Sequence, residues 1–256
     1  MTEARIWEPV IEALDRWSAA GLRAPLWLRD DDAVEPSPAL DRLTILAARF
    51  KVPIALAIIP AATGKALAVT LENQLHVVPI VHGWAHRNHA AQGEKKQEFG
   101  PHRPLSEMRD ELTRGLHKMK ALYGTRLVPI LVPPWNRIAS ELVERLSAIG
   151  YAAFSTFGLA SAAPVHGSIP EINTHIDLID FRGTRKCRDH GLLAGAVAAT
   201  LSHSLDHGRY PVGVLSHHLI HDAAAFDFLE GLFSVANRHL WLSPGELIGR
   251  RIGLVR

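Results

Sequence analysis

Cysteine is almost absent from this sequence. With Cys187 as the one thiol in 256 residues, an internal disulfide and a cysteine-ligated zinc cluster are both excluded, and so low a thiol content suits a reducing compartment. No apolar run is long enough to cross a bilayer. The first twenty residues carry Glu3, Arg5, Glu8, Glu12, Asp15 and Arg16, so they lack the uninterrupted apolar core of a secretory signal. A cytoplasmic location away from the membrane is the expectation. Charge of one sign is lacking too. Lys and Arg number 28 against 26 Asp and Glu, a net +2 with no long basic block, which argues against nucleic acid or an anionic lipid surface as partner. No internal repeat and no low-complexity tract is found.

What is present is an ordinary globular composition, 47% hydrophobic, with an unusual wealth of histidine, 15 copies in bunches. Hydrophobic periodicity predicts alternating helices and strands. Ile6, Val10, Leu14 and Trp17 mark an opening amphipathic helix over 4–19. A strand over 25–29 follows, then a helix capped by Ser37 with Pro38 at its first position, running to Phe50. Val52–Ile59 reads as a buried strand. A short helix near 64–73 leads to a strand from Leu75 to Val81, inside which His76 reads as a core histidine. A long polar loop over 82–105 precedes a helix from Ser106 to Gly124. Strands are expected at 127–132, 151–155, 176–181, 211–216 and 240–242, with helices over 138–149, 189–206, 222–237 and, behind the capping box Ser243-Pro244-Gly245-Glu246, at the end. Such alternation without a composition break predicts one α/β domain over 1–256 with a parallel sheet closing into a barrel, residues 1–23 packing on it as a helix.

The strand ends carry the chemistry. In Pro25-Leu26-Trp27-Leu28-Arg29-Asp30-Asp31-Asp32-Ala33 an apolar run stops in three adjacent acids. Neighbouring carboxylates repel, and a bound cation removes the repulsion. A cluster capping the following helix is the plainer alternative, but Ser37 lies too far downstream to need three acids. The next strand ends in His82-Gly83-Trp84-Ala85-His86, whose two imidazoles are four apart and can reach one ion. Later ends offer Pro133-Pro134-Trp135-Asn136, then Asp177, Asp180 and Phe181, then His217 and His218. In a parallel barrel these ends converge on one face. An acid with two histidines suits a divalent cation, Zn²⁺ above others, with coordination positions open for water and substrate. Such a site, with a spare carboxylate as base and a histidine as acid, has the parts for hydrolysis of an amide or ester. Neither Pro133 nor Pro134 has an N–H, so Trp135 supplies the first backbone donor for an oxyanion in that loop; its indole also suits stacking on a sugar, or simply a rigid turn.

In order along the chain these segments resemble the motifs of the polysaccharide deacetylases, the NodB-homology group of carbohydrate esterases (family 4). Leu28-Arg29-Asp30-Asp31-Asp32 is similar to the Thr-Phe-Asp-Asp-Gly motif, His82–His86 to His-Ser/Thr-x-x-His with glycine in place of the hydroxyl residue, and Val132-Pro133-Pro134-Trp135 to Arg-x-Pro-Tyr/Trp without its arginine. Asp177-Leu178-Ile179-Asp180-Phe181 echoes Asp-x-x-Asp-Trp, and Leu215-Ser216-His217 matches Leu-x-His; Leu240–Glu246 resembles the family's last helix entry. The resemblance implies a distorted (β/α)7 barrel. It implies Asp30 as general base with Asp31, His82 and His86 holding the metal; the rival register makes Asp31 the base and Asp32 the ligand. It implies His217 as general acid, with His218 competing, Leu215 lining the acyl pocket, and Trp135, Asn136 and Asp180 meeting the oxyanion and substrate. Arg137 and Arg29 are the candidates to replace the missing arginine.

Members of that family acting on chitin, peptidoglycan or xylan carry export signals, so the expected substrate here is a small acylated carbohydrate or oligosaccharide. Another metal-dependent amidohydrolase on a non-sugar amide, or a catalytically silent sugar-binding homologue, are the alternatives. A homo-oligomer is left open. The remaining histidines, His102, His117, His166, His175, His190, His203, His207 and His239, read as surface residues. His221-Asp222 reads as a helix cap, and Cys187 has no nucleophile context.

Overall fold

A computed structural model of the chain describes residues 3–160 and 169–251; His166 lies outside them. In chain order the elements are α1 (Glu3–Ala19), β1 (Pro25–Ala33), α2 (Pro38–Phe50), β2 (Ile54–Ile58), α3 (Lys65–Leu71), β3 (Val77–His82), α4 (Leu105–Tyr123), β4 (Ile130–Val132), α5 (Ser140–Val143), α6 (Leu146–Ile149), β5 (Ala153–Phe154), β6 (Ile176–Asp177), α7 (His190–Asp206), β7 (Val212–Ser216), α8 (Ala223–Val235), β8 (Leu240–Trp241) and α9 (Pro244–Arg251). They fall into two compact units. One is built from Met1–Asp30, Ser37–Ile54 and Thr174–Ser243, the other from Asp31–Pro36, Ala55–Asn173 and Pro244–Arg256. The strand β1 is shared, with its last three residues in the second unit.

In the first unit, β1 pairs parallel with β7 from Leu26↔Val212 to Asp30↔Ser216, β8 joins the start of β1, and β6 lies on β7. The core is aromatic. Trp17, Trp27, Phe228 and Phe233 are fully buried, each removing enough apolar surface for about 1.5–3 kcal/mol, and Trp17 donates its indole N–H to the Leu201 carbonyl at 3.1 Å. The start of α2 is made as its sequence predicts: Ser37 Oγ accepts from Leu40 N–H at 3.1 Å, and Pro38 sits at the first turn, where no amide is needed. Asp189 caps α7 and Asp222 caps α8 by accepting from Leu192 and Ala225 amides, both at 3.0 Å.

In the second unit the strand order is β5-β4-β3-β2, with β3, β4 and β5 paired parallel. Leu56, Ile58, Ile80, Val81, Ile130 and Leu131 fill it together with Leu112, Leu116 and Met119 of α4. Several expected boundaries move. The first strand runs on to Ala33 rather than stopping at Leu28-Arg29, because Asp30 is held in the pairing with β7 and the Ala33 carbonyl accepts from Ile59 N–H at 3.0 Å. The helix expected over 138–149 is two short pieces. The strand expected over 176–181 ends at Asp177, since Ile179 turns away to bridge Cys187 antiparallel. His76 precedes β3 and is half-buried rather than a core residue. Among the described residues no helix is long and apolar enough to cross a membrane.

Candidate functional site

In the second unit β3 delivers His82 at its last residue, and the following turn brings back His86. The Nε2 atoms of both converge on one oxygen of Asp32, at 3.0 Å from His82 and 3.3 Å from His86. The donor atoms of these three residues all lie within 4.8 Å of one another. His82 is buried and donates its Nδ1–H to the Val132 carbonyl at 3.0 Å, which turns Nε2, the nitrogen a metal would take, toward Asp32. Burial works to lower the His82 pKa, but the carboxylates of Asp31 and Asp32 outweigh it and hold the group above its usual value. His86 moves the other way, lowered by burial and by its histidine neighbour. An acid and two imidazoles aimed at one point, the more buried ring fixed from behind, fit a divalent cation.

Backbone strain concentrates here. Asp32, His86, Trp135 and Asn136 all have positive φ, between 53° and 70°. L-residues reach this left-handed region at a cost of about 1–2 kcal/mol each, and it persists where the surrounding contacts over-determine the backbone. At Asp32 the conformation ends the alternation of β1 and sets its carboxylate apart from that of Asp31. Asp32, and not the expected Asp31, therefore stands with the two histidines. Asp31 is buried and close enough to raise His82 electrostatically.

Sequence reasoning missed Glu98, which organises this turn. It is fully buried, and its carboxylate accepts from the backbone N–H of Trp84 at 3.0 Å, Ala85 at 2.8 Å and Arg87 at 3.3 Å. Two of these amides lie between the histidines and the third directly follows His86, so one anion shapes the turn that presents His86. The same carboxylate accounts for Gly83. A Cβ there would lie 2.2 Å from Glu98 Oε2 and 2.5 Å from Pro134 Cδ, at a φ of +55°. The hydroxyl residue of the resembled motif cannot be accommodated, and the glycine is a consequence of Glu98 together with Pro134 and the left-handed backbone. The only sequence signal was an acid in a polar loop that also holds Glu94. Trp135 lies against His86 with ring centroids 4.4 Å apart, bracing that imidazole. The Asn136 amide is spent on the Pro133 carbonyl at 2.9 Å and that of Arg137 on Pro134 at 3.3 Å. Arg137 directs its guanidinium to the Lys96 carbonyl at 2.9 Å, which removes it as a stand-in for the missing arginine.

In the first unit Asp30 has a different setting from the one expected of a base. It is fully buried and accepts from Ser216 Oγ–H at 2.6 Å, from His218 N–H at 3.0 Å and from the His218 ring at Nδ1. Burial pushes its pKa up, but His218, His221 and Ser216 overcome that and hold it below the ordinary carboxylate range. His217 turns the other way. It is 8% exposed and meets the edge of Phe181 at 4.7 Å, while its backbone N–H donates to His221 Nε2 at 3.3 Å. His221 is thereby more than a flank to the helix cap; burial, reinforced by His218 and His217, lowers its pKa to about 4. Asp177 accepts from Ile179 N–H at 3.0 Å, and Asp180 from the amides of Gly183 and Thr184, both at 3.0 Å, so both acids of the fourth motif shape their own loop. Leu215 is buried within β7.

No protein-family model and no curated protein matches this chain. Solved structures do. A provisionally assigned polysaccharide deacetylase of Mycobacterium smegmatis is 18% identical with a TM-score of 0.58, over 85% of this chain and 78% of that one. The family 4 carbohydrate esterase domain of a multidomain xylanase from the hindgut metagenome of Trinervitermes trinervoides is 12% identical with a TM-score of 0.55, over 90% and 92%. A family 4 pseudoenzyme from Bacillus anthracis is 12% identical with a TM-score of 0.56, over 88% and 66%. Identities this low show the fold. It is the fold implied by the motif resemblance, the distorted (β/α)7 barrel of the polysaccharide deacetylases.

Proposed function

We propose that this chain is a polysaccharide-deacetylase-type, metal-dependent hydrolase that removes an acyl group, N-acetyl above others, from a small acylated carbohydrate. The observation that carries the reading is the convergence of Asp32, His82 and His86 on one point within the fold that the solved deacetylase structures share. A divalent cation held there, zinc being the best match to one carboxylate and two imidazoles, would supply Lewis acidity that acidifies water and polarises the acyl carbonyl.

The chain's own residues supply the rest. Asp31 directly precedes the ligand Asp32, and the rival register of the first motif gives it the role of base, taking the proton of the attacking water. Trp135 N–H is the donor that its loop keeps for a developing oxyanion, its two neighbours downstream being bonded to the prolines' carbonyls. His217 is the acid that the motif resemblance implies for the leaving nitrogen; it belongs to the first unit, and the geometry around Asp32 assigns it no step. Asp30 is assigned no catalytic step, since its oxygens are committed to Ser216 and His218.

The test is zinc content of the purified protein, followed by acetate release from a panel of acetylated sugars by the zinc-loaded chain. About one zinc per chain and release that falls by ~10²–10⁴ in Asp31→Asn is expected. A second reading, a silent carbohydrate-binding homologue, is favoured by the presence of a family 4 pseudoenzyme among the structural neighbours. Bound zinc with no release from any acylated substrate, sugar or otherwise, would establish it.

A further inference from the structure

The first unit holds a cavity of about 480 Å³ that draws on four of its helices. Trp7 comes from α1, Phe50 from the end of α2 and His190 from the start of α7. The rest is one stripe of α8, where Asp227, Glu230, Gly231 and Ser234 stand at i, i+3, i+4 and i+7. A volume of this size suits a small molecule. Gly231 is where the indole meets α8. A Cβ there would lie 2.3 Å from Trp7 Cζ2, so glycine is what lets the ring seat. Behind both rings lies the fully buried Phe228, with centroids 5.1 Å from Trp7 and 5.4 Å from His190. The aromatic wall is therefore packed from behind.

The polar groups left to the cavity are mostly acceptors. His190 donates Nε2–H to the Ala224 carbonyl at 2.9 Å, so the neutral ring keeps a lone pair on Nδ1. Asp227 is exposed, and among the described residues it forms no ion pair. Among the described residues lining the cavity there is no lysine or arginine. The rim already seats a cation of the chain's own. Arg49 pairs with Glu230 and holds its guanidinium 4.8 Å over the Phe50 ring, between a carboxylate and an aromatic face.

We propose that this cavity binds a small organic ammonium, an amine carried on a ring. It lies wholly within the first unit and does not depend on the hydrolase reading. Asp227 supplies the opposite charge, His190 Nδ1 accepts one N–H, and the Trp7 indole offers a π face to the cation or to the apolar side of its ring. An anion would meet the Asp227 carboxylate with no cation among the lining residues to offset it. A neutral ligand would gain nothing from that charge. An aromatic amine and an amino sugar share the required chemistry.

The experiment is calorimetric binding to the full chain at neutral pH with two matched pairs, phenethylamine against 2-phenylethanol and glucosamine against glucose. At least one amine is expected to bind about tenfold or more tightly than its neutral partner. The pair that shows the advantage tells an aromatic amine from an amino sugar. The advantage should shrink at high salt and fall below about twofold in Asp227→Asn. It should persist in His82→Ala, which removes a member of the Asp32 group. Ser234→Phe, at an exposed position on the same face of α8, should fill the cavity and weaken the amine about tenfold. Circular dichroism checks that each variant keeps the fold. No advantage in either pair overturns the proposal, as does an advantage that survives Asp227→Asn or Ser234→Phe, or one lost in His82→Ala. None of these readouts uses acetate release, so the hydrolase reading stands or falls separately.

Discussion

Asp30 and Asp32 sit two residues apart on one strand, each with a histidine, and they are opposites. Asp30 is sealed in the first unit, its two oxygens filled by Ser216, the His218 amide and the His218 ring. Asp32, in the second unit, has its side chain one-third exposed, and one of its oxygens receives two imidazole nitrogens, the His82 ring being fixed from behind by the Val132 carbonyl and the His86 ring lying against Trp135. A carboxylate surrounded by fixed donors is a structural part. One that shares a point with two imidazole nitrogens and retains access to solvent is a place for a cation. The contrast shows that a run of acids is divided by its hydrogen-bond partners, not by its sequence neighbours.

The largest test of that contrast is removal of one side of the open group. His82→Ala or Asp32→Ala should weaken zinc by more than ~100-fold in a chelator competition, with acetate release lost in parallel. Unchanged zinc content in either variant would break the comparison. Next, Asp30→Ala should leave zinc binding in place and cost about 3–5 kcal/mol in urea unfolding, since it strands His218 in the core. Loss of zinc with little loss of stability would reverse the roles of the two acids.

Acid should expose the closed side as well. His221, with its pKa lowered to about 4 in the folded chain, stays neutral where the unfolded chain, near 6.5, takes up a proton. Its contribution to stability is therefore unaffected above about pH 6.5 and is lost as pH falls from there toward 4, by on the order of 2–3 kcal/mol. Urea unfolding across that window should show the decline, and His221→Gln should flatten it. A smaller effect is expected behind the open group. Glu98→Gln keeps the size of the side chain but gives up the anion that gathers three amides, so zinc affinity should drop ~10–100-fold while the melting temperature changes little. Zinc affinity equal to that of the unaltered chain would show that the turn holds itself.

Much of this was legible beforehand for a local reason. Ser37-Pro38, the apolar period of Leu112, Leu116 and Met119, and Gly124 after Tyr123 are signals read within a turn or two, and α2 and α4 follow them closely. The histidine spacing of 82 and 86 is local as well, and it supplied two of the three clustered residues. The register of the acids was not legible. Asp30, Asp31 and Asp32 are chemically alike, and the motif resemblance put the base and the ligand at the first two. The positive φ at Asp32 and the arrival of Ser216 and His218 at Asp30 are what separate them.

Sequence alone determined the alternation of helix and strand, the helix caps, and the supply of an acid and two histidines, because periodicity, capping and motif spacing act over a few residues. Tertiary structure decided which acid joins the histidines, that Glu98 and Pro134 make Gly83 obligatory, and that Arg137 faces away, because those outcomes depend on partners brought in from elsewhere in the chain. A carboxylate's role is set by the donors that reach it, and those donors, fourteen residues or nearly two hundred away, are assembled only by folding.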